Sequence, residues 1–185
     1  MPSPIRYTRN FVLRLLPVLF CFLCACSTEP EWYAPPMQRV FDPALVPKVV
    51  GSTISMDSPH VDNYLVSGII THEPGAAWRW ANPRAELRFA LYETKGMKFL
   101  ADFVIAEDTF KLTGPVTMKF TVDGKVLGSQ RYDQHGEKHF EAEVDASLLR
   151  TDGPMVVAAE VDKYFQSPQD GVKLGFLLIR MGFTQ

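Results

Sequence analysis

Two tryptophans, Trp78 and Trp80, stand two residues apart in the stretch GAAWRWANPRAEL. On an extended chain such positions face the same side, so both indoles can form one platform. An indole stacks on the apolar C–H face of a sugar ring while nearby polar groups hold the hydroxyls. Tyr164 is the third candidate for such a ligand contact. The competing reading is that one or both tryptophans plug the end of a hydrophobic core, as large aromatics commonly do. Arg79, Arg84 and Arg88 are interleaved with them, and Glu86 alternates with Leu87. That pattern reads either as a solvated strand face or as an anion site.

Other chemistries find less support. His60, His72, His135 and His139 fall in separate loops without ligand spacing. His135 and His139 flank a glycine turn rather than share a helix face, so no metal is expected. For a nucleophile there is no G-x-S-x-G and no S-x-x-K. A glycosidase needs two carboxyl groups converging at about 5 to 10 Å, and pairs such as Glu107-Asp108 and Glu141/Glu143 are what any β protein with 21 acidic residues offers. Glu141 and Glu143 share the solvent side opposite Phe140 and Ala142. The expectation is a protein that is not an enzyme and uses no cofactor.

The three cysteines lie near the start of the chain. Arg6, Arg9 and Arg14 form a basic region without acids, and an apolar run reaches Ala25. This is the pattern of a secretory signal peptide, and the run from Leu15 is shorter than the about 20 residues that span a bilayer. Leu23-Cys24-Ala25-Cys26 resembles the bacterial lipobox, with Leu at −3, a small residue at −1 and cysteine at +1. Cys26 is therefore the candidate lipidation site. Cys21 and Cys24 follow Phe20 and Leu23, too large for the small position. Plain secretion with cleavage near Ala25 is the alternative. A multiply acylated cysteine holds a protein to a membrane firmly, each buried CH₂ contributing about 0.8 kcal/mol. Ser27 follows where an Asp favours inner-membrane retention in enterobacterial lipoproteins, so that resemblance implies the outer membrane of the cell envelope.

Removing residues 1–25 leaves 16 basic against 21 acidic residues, a net charge of about −5. A nucleic-acid partner wants a basic face and is not expected. Downstream of Cys26 no thiol remains, which excludes disulfides, zinc thiolate sites and a cysteine nucleophile there. The remaining residues suffice for one domain with a real core.

From Cys26 to Pro47 the chain carries Pro30, Pro35, Pro36, Pro43 and Pro47. Proline fixes φ and removes a donor, so residues 26–47 read as an extended tether, although Trp32, Tyr33 and Phe41 leave open that part of it packs on the domain. Residues 48–185 show short alternating apolar runs between turn signals, the mark of an all-β domain. Eight strands are expected: Tyr64 to Ile70, Ala85 to Tyr92, Lys98 to Ile105, Val116 to Val122, Lys125 to Tyr132, Lys138 to Val144, Met155 to Asp162 and Leu174 to Gly182. Asp123-Gly124 supplies the two φ > 0 positions of a type I′ hairpin turn. Asp145 starts a single helical turn that ends at Gly153-Pro154.

The C-terminal stretch YFQSPQDGVKLGFLLIRMGF carries Asp170, Leu174-Gly175-Phe176 and Ile179 to Phe183. With the Val122-Asp123-Gly124 hairpin and the early tryptophans, it resembles the jelly-roll β-sandwich domains attached to some bacterial glycosyltransferases and other cell-surface polysaccharide proteins. Those domains end in D-x-R-x-L-G-φ-x-φ-x-x-φ and carry a V-N-G hairpin. Val172-Lys173 departs from that pattern, and Asp123 stands for the Asn. The resemblance implies an antiparallel β-sandwich of jelly-roll type and transfers no catalytic residue. Asp170 is expected to hold its turn by accepting backbone N–H bonds. Two functions follow: an anchored exported lipoprotein that binds glycan or envelope polysaccharide, or a structural lipoprotein that holds an envelope protein.

Overall fold

A computed structural model describes residues 50–70 and 76–185. Cys26, the signal segment, the proline-rich tether and His72 lie outside the described residues. Alternating apolar residues bury one side of each strand, so strands must pair and stack to hide it. The described chain forms β1 (Thr53–Ser55), β2 (Leu65–Ile69), β3 (Arg79–Phe89) and β4 (Lys98–Ile105), then helix α1 (Glu107–Thr113). It continues through β5 (Val116–Val122), β6 (Lys125–Tyr132), β7 (Gly136–Glu143), β8 (Met155–Val161), β9 (Phe165–Gln166), β10 (Lys173–Leu174) and β11 (Phe176–Thr184).

All pairings are antiparallel, in the order β6-β5-β8-β3-β11-β4-β7, with β2 added to β3 and β1 to β11. The β9–β10 hairpin stands apart. β3 meets β11 over three residue pairs only, Ala81↔Phe176 to Arg79↔Leu178, and at this junction the sheet folds over. Phe120 on β5 then stacks on Phe140 of β7 with ring centres 4.4 Å apart, and Phe99 of β4 lies 5.3 Å from Phe120 and 5.5 Å from Phe183. The protein is an all-β antiparallel sandwich, its two layers joined through β11. Each buried phenylalanine contributes about 1.5 to 3 kcal/mol by leaving water, and among the described residues six are fully buried.

The expected strands at Lys98 to Ile105, Val116 to Val122 and Lys125 to Tyr132 have the observed bounds. The hairpin residues Asp123 and Gly124 have φ of 45° and 82°, both left-handed as a type I′ turn requires. Asp145 Oδ1 accepts the Ser147 N–H at 2.8 Å and opens a 3-10 turn at Ala146–Leu148.

Other expectations need correction. The strand expected from Ala85 to Tyr92 runs from Arg79 to Phe89, because the ladder accommodates Asn82-Pro83 instead of starting after it. Lys138 to Val144 begins earlier, at Gly136. Leu174 lies in β10, separate from the terminal strand. Among the described residues eleven strands replace eight: β1, β9 and β10, of two or three residues, are too short to show a period. His139 is a strand residue of β7, not a loop residue.

Candidate functional site

The irregular middle of β3 explains how its first residues are displayed. Proline has no N–H to give to a ladder. On one side, β8 pairs with β3 from Phe89 back to Arg84 and releases it at Glu160; β11 resumes at Ala81. Residues 162–175 leave the edge between these points and return where the Gly175 N–H donates to Ala81 O at 2.8 Å. On the other side, β2 pairs Ser67 with Glu86 and then Ile69 with Ala81, so β3 bulges between them.

Two glycines permit that bulge. A Cβ on Gly68 would lie 1.9 Å from Arg84 O, and Gly68 has φ of 74°. A Cβ on Gly175 would meet Asn82 O at 2.8 Å. The backbone from Asn82 to Arg84 is thus clasped on both flanks where a side chain cannot fit.

On both sides of the bulge, alternation sends Ala81, Ala85, Leu87 and Phe89 into the core and places Trp80 with Asn82, Arg84 and Glu86 on the outward side. Trp78, one residue before β3, is 36% exposed, and Trp80 is half-buried. Neither belongs to the core cluster. The Trp80 backbone is fixed, since Ile70 N–H donates to Trp80 O at 2.8 Å and Trp80 pairs with Leu177, and the Arg79 side chain between the tryptophans bonds Asp62 at 3.1 Å.

Arg79 and Arg84 are committed to carboxylates, whereas Arg88 donates to Leu65 O at 3.4 Å. Arg84 reaches Glu86 at 2.9 Å and Glu160 at 3.0 Å, and Lys119 joins Glu160 at 3.3 Å. The Ser67 hydroxyl and Arg84 hold the Glu86 carboxyl below the usual glutamate range. Such a mutually neutralised row is a solvated strand face.

Tyr164 sits at the root of the excursion that leaves β3 beside Asn82-Pro83. It is 37% exposed, and Lys173 Nζ lies 5.4 Å from its ring centre, within cation–π range. Asp170 Oδ1 accepts the Val172 N–H at 3.1 Å, and the Ser167 hydroxyl and that N–H lower its carboxyl pKa. Asp123, on a different hairpin, accepts the Val156 N–H at 3.0 Å and pairs with Arg150 at 2.8 Å. The structure therefore gathers Trp78 and Trp80 on one strand end, carries Tyr164 on the adjoining loop, and uses Asp123, Gly124 and Asp170 in turns.

Across the other layer, Asp102 of β4 receives His139 at 2.5 Å and Arg180 at 2.7 Å. Among the described residues no three metal-ligating side chains converge, and no helix is long and apolar enough to cross a membrane. Sequence reasoning missed a groove beyond the far end of β3, around Tyr92; its walls come from three distant segments, which no local spacing announces.

No protein-family model matches the sequence, and no curated protein matches it. Similar solved structures include the second CBM51 domain with the INT domains of Clostridium perfringens ZmpB in complex with GlcNAc, at 12% identity and a TM-score of 0.34, covering 72% of this chain and 28% of that one. An exo-β-1,3-galactanase from Phanerochaete chrysosporium matches at 7% identity and a TM-score of 0.40, covering 74% and 29%. A two-domain esterase active on acetylated mannans matches at 15% identity and a TM-score of 0.37, covering 94% and 46%. The chain thus spans less than half the length of each, and at such scores these likenesses assign no role to any residue named above.

Proposed function

We propose that the protein is an exported lipoprotein, anchored through Cys26 to the cell envelope at the outer membrane, whose sandwich binds glycan or envelope polysaccharide without transforming it. The carrying observation is the exposure of Trp78 beside a half-buried Trp80, outside a core already filled by phenylalanines. Trp80 on a backbone pinned by neighbouring strands, with Trp78 two residues before it, is preorganised for stacking. Tyr164, on the loop that leaves β3, and the outward Asn82, Arg84 and Glu86 are the groups assigned to take hydroxyls. Each stacking contact is weak, and many anchored copies on one surface raise the net affinity.

Affinity electrophoresis of the full chain through gels containing neutral polysaccharides tests this reading. Retardation by at least one polysaccharide, relieved in Trp78→Ala/Trp80→Ala, is expected; equal retardation of both proteins overturns the platform.

A second reading, a structural lipoprotein docking an envelope protein, draws on β6, which ends the hydrogen-bonded order and exposes Val126 at 60%. Open strand edges accept extended peptides. A crosslink from Val126 to an envelope protein, with no polysaccharide retardation, would favour it.

A further inference from the structure

The end of the sandwich beyond β3, away from the tryptophans, holds a groove of about 460 Å³. Its floor is apolar, formed by the buried Leu91, Met97 and Phe183. Tyr92 stands at its edge, 94% exposed. The polar wall comes from Ser52, Thr53 and Gln185 together with Glu93. These segments are locked to one another. Phe183 N–H donates to Ser52 O at 2.7 Å, Thr53 Oγ1 donates to Phe183 O at 2.9 Å, and Gln185 Nε2 donates to Glu93 Oε2 at 3.0 Å.

We infer that this groove is a second binding site, for a neutral, hydroxyl-rich sugar ring. Tyr92 supplies an aromatic face at low entropy cost, in water where a core residue has no reason to stand. With Gln185 on one oxygen of Glu93, the other carboxylate oxygen remains to accept from a ligand hydroxyl, a charge-assisted bond stronger than a neutral one. The Gln185 carbonyl and the Ser52 hydroxyl complete a set of acceptors and donors suited to adjacent hydroxyls. Glu93 is the single charged residue of the lining, so an acidic sugar would be repelled while a neutral one is held.

The groove and the tryptophans lie toward opposite ends of β3. Its 11 residues, at about 3.3 Å each and less the steps taken up by the bulge, put roughly 25 Å between the strand ends. The two surfaces would engage separate stretches of a polymer or separate chains. The inference stands on the residues of the groove and does not require the platform.

The test is an amide and indole NMR titration of the full chain in micelles of a detergent without a sugar headgroup. The probes are the methyl glycosides of glucose, galactose, mannose and N-acetylglucosamine, with that of glucuronic acid as the acidic comparison, each up to its solubility. At least one neutral glycoside should move the signals of Ser52, Thr53, Tyr92 and Glu93. Tyr92→Ala should weaken that response about tenfold, Glu93→Gln by a smaller factor, and glucuronide should act least. Tyr92 is exposed, so its loss leaves the fold intact, which an unchanged spectrum elsewhere will verify. No response at the groove from any neutral glycoside overturns the inference, as does a response that survives Tyr92→Ala. The indole signals of Trp78 and Trp80 report the platform separately, so either site can fail alone.

Discussion

At the scale of single residues, the decisive positions are those where an atom has no room or a charge has been claimed. Gly68 combines a left-handed φ with a carbonyl 1.9 Å from any added Cβ. Gly68→Ala should therefore cost about 3 kcal/mol or more, from backbone strain and displacement of the Arg84 carbonyl. Gly96, with φ of 64° and nothing near its Cβ position, is the control: Gly96→Ala should cost about 1 kcal/mol from conformation alone. Urea unfolding of both variants measures the difference, and equal losses would remove the clasp around the β3 bulge.

Asp102 offers a second residue-scale prediction. Burial raises its pKa, but hydrogen bonds from His139 and Arg180 outweigh burial and leave it below the usual aspartate value. The stabilisation from a lowered carboxyl pKa is present above the ordinary carboxylate range and fades as pH falls through the lowered value. Wild type should exceed Asp102→Asn in stability at neutral pH, and the gap should close progressively below about pH 4. Thermal unfolding across pH 2 to 7, with Lys98 and Glu141 kept as the neighbouring charges, reads this; a gap independent of pH would sink the assignment.

At the scale of elements, legibility followed the strength of the local pattern. β5 and β6 were readable to the residue because Met118, Phe120 and Val122 alternate and Asp123-Gly124 permits a single turn geometry. β4 was equally plain, with Phe99, Ala101, Phe103 and Ile105 all inward. The start of β3 was hidden because Pro83 reads as a strand breaker; only the distant Gly68 and Gly175 make it tolerable inside a sheet. β1, β9 and β10 carry too few residues for any period. The i, i+2 spacing of Trp78 and Trp80 was visible in the sequence, but their exposure was not, since it depends on which neighbours cover them. Tyr92 was read as the end of a strand and stands past it.

The β5–β6 hairpin carries its own prediction. Asp123 holds φ of 45° while bonding Val156 N–H and Arg150, so Asp123→Ala loses left-handed tolerance and two partners. A loss of about 1 to 2 kcal/mol is expected, with Asp123→Asn retaining more than half of the difference. Denaturant midpoints of the two variants give the comparison. An alanine as well tolerated as asparagine would mean that the turn does not fix the register.

At the scale of the whole molecule, the proposal joins an anchor to a binding surface. Cys26→Ser should leave the full chain unlabelled by fatty acid and release it from membrane pellets; continued labelling and pelleting would reject the lipidation site. Residues 26–185, with 16 basic against 21 acidic residues, suit a neutral glycan better than a polyanion.

The measurement that bears most directly on the platform is a glycan-array screen of the full chain, run beside Trp78→Ala/Trp80→Ala with its fold checked by circular dichroism. Binding by wild type to a defined set of neutral glycans, reduced at least tenfold in the folded double variant, is the predicted result. Binding that is unchanged in the folded variant, or no binding by wild type to any glycan, would contradict it.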